Sequence, residues 1–87
     1  MYIISNGSVY IAQKELRMNE KTSINSLTLE EINALSFINE PIVGETLIRY
    51  WGIVESKDDC ARFRWKPKKH LKHIQIMYGD GFKIEKA

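Results

Sequence analysis

Hydrophobic residues change period along the chain, and the changes mark the elements. Tyr2-Ile3-Ile4 and Val9-Tyr10-Ile11 are β-branched and aromatic, with Asn6-Gly7 between them. This pattern predicts strands at residues 2–5 and 8–12, joined by a type I′ turn, because Asn-Gly tolerates the positive φ that such a turn requires. Residues 12–21 are ambiguous: Ala, Gln, Lys, Glu, Leu and Arg favour helix, whereas Leu16 and Met18 stand two apart as in a strand. They read as an extension of the hairpin or a short turn. Thr28 and Glu31 have the spacing of a capping box, with Leu27 and Ile32 placed to staple it. A short helix is expected there, carried by Leu29, Ile32 and Leu35 and ending near Phe37, before Asn39, Glu40 and Pro41.

From Glu45 the period becomes two. Leu47, Arg49, Trp51 and Ile53 alternate with Ile48, Tyr50, Gly52 and Val54, predicting a long strand. Residues 55–59 form a polar connector. Residues 60–66 alternate again, Ala61, Phe63 and Trp65 against Arg62, Arg64 and Lys66, and are expected to pair antiparallel with the preceding strand. On this reading Phe63 and Trp65 face the core; the alternative is that one of them is an exposed platform beside the cations, able to stack on an unpaired base. Pro67 interrupts the ladder, residues 68–72 read as an exposed loop, and a last hairpin runs from 74–78 through Gly79-Asp80-Gly81 to 82–86. The resulting expectation is an α+β fold: a mainly antiparallel β-sheet or small half-open barrel of about six strands with one short helix.

The chain has 87 residues, 44% hydrophobic and 28% charged, enough apolar content to exclude the disordered class and too little length for two cores. A single domain over residues 1–87 is expected. Met1 is followed at once by strand-like residues without a basic leader, and no apolar run approaches the ~18 residues of a membrane span, so a cytoplasmic protein with no membrane partner is expected. Cys60 is the one cysteine and has no intrachain disulfide partner, which fits a reducing compartment. Twelve isoleucines and nine lysines, both encoded by AT-rich codons, suggest an AT-rich bacterial or phage genome.

A net charge of +2 conceals strong segregation. Residues 62–73 hold six cations, two histidines and no acid, whereas the other 75 residues hold seven cations and eleven acids, 7 − 11 = −4. Glu30, Glu31, Glu40 and Glu45 lie in a stretch, residues 22–48, that contains no Lys or Arg. On a strand, Arg62, Arg64 and Lys66 would project from one face as a cationic stripe, continued by Lys68, Lys69 and Lys72. Six cations without an acid among them exceed what protection of a sheet edge requires and point to a polyanion or an acidic protein surface. Tyr50 and Trp51 point to opposite faces, so the exposed one of the pair is the candidate apolar anchor.

Chemistry is poorly supported. His70, His73 and Cys60 lack the spacing of a zinc site. His70 or His73, with Lys69, Arg62 or Lys72 to stabilise a charged transition state, is the constellation a small metal-independent ribonuclease would use, but any basic surface with a histidine offers it. Cys60 reads as a small buried hydrophobe, and Gly79-Asp80-Gly81 as a turn without the Lys-Ser/Thr of a phosphate loop. No cofactor or metal is expected. The expected function is therefore a non-enzymatic binding module that engages nucleic acid, or a protein complex that handles it, through Arg62, Arg64, Lys66, Lys68, Lys69, Lys72 and the exposed member of Tyr50 and Trp51. The alternative is a small phage or mobile-element inhibitor that docks on a host defence enzyme, of the anti-restriction or anti-CRISPR type; a ribonuclease is third.

Overall fold

The structure, a computed structural model, describes residues 1–38 and 40–87; Asn39, which the sequence reading places just after the first helix, lies outside the described residues. Its elements run β1 (Tyr2–Ser5), β2 (Tyr10–Met18), α1 (Leu29–Leu35), β3 (Thr46–Val54), α2 (Lys68–Tyr78) and β4 (Lys83–Lys86). The four strands form an open antiparallel sheet in the order β3-β2-β1-β4. The α+β class matches expectation; the six strands, the half-open barrel and the single helix do not. The chain divides into two compact units, residues 1–13 with 51–87, and residues 14–50, so β2 and β3 each run through both.

In the first unit the β1–β2 hairpin forms where it was expected, but with a different turn. Asn6 keeps a negative φ, because its side-chain Oδ1 accepts from the amides of Ser8 and Val9, each at 2.9 Å, and closes the loop without a left-handed residue there. Only Gly7, at φ 94°, takes the positive angle. The turn is therefore not type I′, which needs both central residues at positive φ. β1 pairs along its other side with β4, Tyr2 opposite Lys86 and Ser5 opposite Lys83.

Residues 60–66 are not a strand of the sheet and do not pair with β3. Instead the Ala61 amide donates to the Ile11 carbonyl (2.9 Å), and Phe63 exchanges two backbone hydrogen bonds with Tyr2 (2.7 and 2.8 Å). These contacts occupy backbone groups of Ile11 in β2 and Tyr2 in β1, and Pro67, with no amide hydrogen, follows four residues after Phe63.

The largest departure lies beyond Pro67. Residues 68–78, expected as a loop and a strand, are one helix. The alternation of Ile74, Ile76 and Tyr78 competes with a helical stripe, Leu71, Ile74 and Tyr78, spaced three and four. The stripe wins because it buries Ile74 completely in a cluster with Ile4, Ile11 and Phe82, with Leu71 and Tyr78 packed against it, while Ile76 is left exposed. Lys, Leu, Gln and Met are also good helix formers. Gly79 ends the helix at φ 111°, an angle that disfavours any side chain, and the Gln75 side-chain Nε2 donates to the Phe82 carbonyl at 2.9 Å to tie the helix end to β4. Gly79-Asp80-Gly81 is thus a turn, as expected, between helix and strand instead of two strands.

In the second unit the ambiguous residues after 12 extend the hairpin strand to Met18. α1 begins as its pattern requires: Thr28 Oγ1 accepts from the Glu31 amide (3.2 Å) and Glu31 Oε1 from the Thr28 amide (2.8 Å). Leu16, Ala34 and Ile48 are its buried apolar residues. Lys14 pairs with Glu30 (3.0 Å) and Arg49 with Glu15 (3.4 Å). Both pairs are partly or largely exposed and contribute little to stability. No described helix is long and apolar enough to cross a membrane.

Candidate nucleic-acid interface

The basic segment is built from two kinds of backbone. Arg62 directly precedes the Phe63 bridge, and Arg64 and Lys66 lie on the irregular stretch between that bridge and Pro67, not along one face of a strand; all three are exposed. Lys68, Lys69 and Lys72 occupy the first turns of α2 and are also exposed. Among the described residues the salt bridges involve other cations, Lys14 and Arg49, and none of the six pairs with a carboxylate. Arg62 Nη2 makes a long contact, 3.5 Å, with the Lys57 carbonyl.

Helix geometry then orders the lysines. With 3.6 residues per turn, Lys69, Lys72 and Ile76 share one face, opposite the stripe of Leu71, Ile74 and Tyr78. Ile76 is 72% exposed, so this face ends in an apolar residue beside two ammonium groups. The arrangement is unfavourable for the helix itself. Lys68 and Lys72 are like charges four apart, worth about 0.2–0.5 kcal/mol of repulsion, and Lys68 and Lys69 stand at the positive end of the helix dipole, where cations cost roughly 0.3–1 kcal/mol each. The first turn holds no acid, and Pro67 at its N-cap offers no side-chain cap. Because these lysines are helical, protection of a sheet edge does not account for them.

The aromatic residues are redistributed. Phe63 is half-buried, as its core assignment implied, with its ring 5.6 Å from that of Trp51 and 5.8 Å from that of His70. Trp65 is the reverse of its expected core position: it is 79% exposed, between Arg64 and Lys66. There is no pleat here: once the chain leaves the Phe63 bridge, alternation no longer dictates which side is covered. Neither Tyr50 nor Trp51 is the exposed anchor. Trp51 is half-buried, packs on Phe63 and His70 (5.0 Å between ring centres), and accepts at its carbonyl from Tyr78 Oη. Tyr50 belongs to the other unit, also half-buried; burial raises its phenol pKa above the usual 10, assisted by the charges of Glu30 and Glu31.

His70 is exposed yet set against the Trp51 and Phe63 rings, on helix instead of loop, and His73 lies one turn on, half-buried. Among the described residues no three His, Cys, Asp or Glu side chains are grouped to hold a metal ion. Cys60 is buried and unpaired, in an irregular segment and not a strand. An open cleft of about 530 Å³, lined by Tyr2, Lys66, Ile84 and Lys86, lies in the same unit. Trp65 thus takes the alternative role, an exposed group beside the cations, in place of the core position expected first, and the cleft has no counterpart in the sequence pattern. The signal for Trp65 was Pro67 two residues on, which already argued against a regular strand. Compared with models of known protein families, with curated proteins and with solved structures, the chain matches none.

Proposed function

We propose that this chain is a non-enzymatic module that binds single-stranded nucleic acid through residues 62–72. The observation that carries the reading is the 79% exposed Trp65 within a segment, residues 62–72, whose six cations are all exposed and, among the described residues, held in no salt bridge. Single strands are bound by such a combination: cations follow the phosphates, and an aromatic face stacks on an unpaired base at about 1–3 kcal/mol per base. Arg62 and Arg64 supply forked contacts to phosphate, while Lys66, Lys68, Lys69 and Lys72 supply less directional charge. The electrostatic cost that α2 carries at its own N-terminus supports this reading, because a helix selected for stability alone would place acids there.

The test is a titration of labelled single-stranded oligonucleotides, and of the duplex of the same sequence, at low salt. The single strand is expected to bind more tightly and to quench tryptophan emission. Equal or tighter binding of duplex removes the stacking role of Trp65, and absence of binding to either rejects the function.

A further inference from the structure

We infer that the cleft between Tyr2, Lys66, Ile84 and Lys86 is a binding site for one nucleotide, a phosphate ester with an attached ring. Its volume, about 530 Å³, lies within the roughly 300–1,000 Å³ typical of small-molecule sites. Its lining divides by chemistry. Tyr2 and Lys86 are directly opposed across the β1–β4 pair, so their side chains share a face at about 5 Å. Ile84, two residues earlier on β4, lies on that same face. The sheet therefore contributes a phenol ring and an aliphatic side chain side by side, a surface that suits a base or sugar. Lys66 reaches the cleft from the segment before α2, and Lys86 from the end of β4. Both lysines are exposed and, among the described residues, neither is in a salt bridge, so each is able to donate to a phosphate held in the cleft.

The identity of the ligand rests on the function proposed above, through Lys66. That residue follows Trp65 directly and belongs both to the basic segment and to the cleft. A strand stacked on Trp65 has its neighbouring phosphate within the field of Lys66, and the adjoining nucleotide then enters the cleft toward Lys86. A free mononucleotide presents the same chemistry, and the two sources separate experimentally.

The experiment is amide chemical-shift mapping of the full chain with thymidine 5′-monophosphate, with thymidine, and with a single-stranded oligothymidylate, repeated on Lys86→Gln and Lys66→Gln. Both lysines are exposed, so neither substitution threatens the fold. The monophosphate should shift the resonances of Tyr2, Ile84 and Lys86 saturably, thymidine should bind at least about tenfold more weakly, and Lys86→Gln should weaken the monophosphate about tenfold. If the oligonucleotide also shifts these resonances together with those of residues 62–72, the ligand is a nucleotide of the bound strand; if it leaves them in place, the ligand is a free nucleotide. An oligonucleotide that shifts residues 62–72 while the cleft responds to neither probe overturns this inference and leaves the proposed function standing. A cleft that answers the monophosphate while residues 62–72 ignore the oligonucleotide does the opposite.

Discussion

Trp65→Ala separates a binding group from a structural one. The side chain is 79% exposed, so only about a fifth of its surface is removed from water. Against the roughly 1.5–3 kcal/mol gained by fully burying a large apolar side chain, its truncation should cost the fold about 0.5 kcal/mol. For a domain of this size that is a fall in Tm of no more than about 4 °C. Loss of one stacked base should weaken oligonucleotide binding by about 1–3 kcal/mol, or roughly 5- to 150-fold. Phe63→Ala, two residues away, is the internal control. Its ring is half-buried against Trp51 and His70, and its loss should cost about 2 kcal/mol or more of stability. Circular dichroism melting and fluorescence anisotropy with a labelled single strand measure both quantities on the same samples. The reasoning is refuted if Trp65→Ala melts as early as Phe63→Ala, or if it binds the oligonucleotide as tightly as the parent chain.

Three further outcomes follow from the same structure. Tyr78→Phe removes the donor to the Trp51 carbonyl and should lower the urea unfolding free energy by about 1–2 kcal/mol with an unchanged m-value. Thr28→Ala breaks one half of the capping box and should cost about 1 kcal/mol; Thr28→Ser should restore most of it. Because the folded chain holds the Tyr50 phenol above its unfolded value of 10, folded protein binds more protons than unfolded protein at alkaline pH. The stability this contributes is intact below pH 10 and is lost as the pH rises through the folded pKa. Tyr50→Phe should therefore show a shallower alkaline decline than the parent chain in denaturant titrations above pH 10.

What the sequence revealed depended on whether a local signal had a competitor. Thr28 and Glu31 read correctly because a capping box has one geometry, and residues 47–54 because eight positions of alternation rich in β-branched and aromatic residues have no helical counterpart. The hairpin was visible in Asn6-Gly7, but its turn type was not, since Asn6 closes the loop with its side chain. Residues 68–78 misled because Ile74, Ile76 and Tyr78 satisfy period two while Leu71, Ile74 and Tyr78 satisfy the helix, and only the burial of Ile74 against Ile4, Ile11 and Phe82 decides between them. That is tertiary information. The basic segment was legible as charge but not as shape: the same six cations were expected on a strand and a loop, and they lie on an irregular segment and a helix. Trp65 was assigned to the core by a pleat that the Phe63 bridge and Pro67 abolish, and the cleft joins residue 2, residue 66 and β4, an association that only topology creates.

The most direct measurement is the dependence of single-strand affinity on salt concentration. Six cations free to displace counterions predict a slope of log affinity against log salt of about −4, given roughly −0.7 for each neutralised phosphate on a single strand. Lys69→Gln with Lys72→Gln should reduce that slope by about 1.4 while the Tm stays level or rises, because both substitutions relieve repulsion at the start of α2. A slope near zero, or one that the double substitution leaves unchanged, would contradict the account.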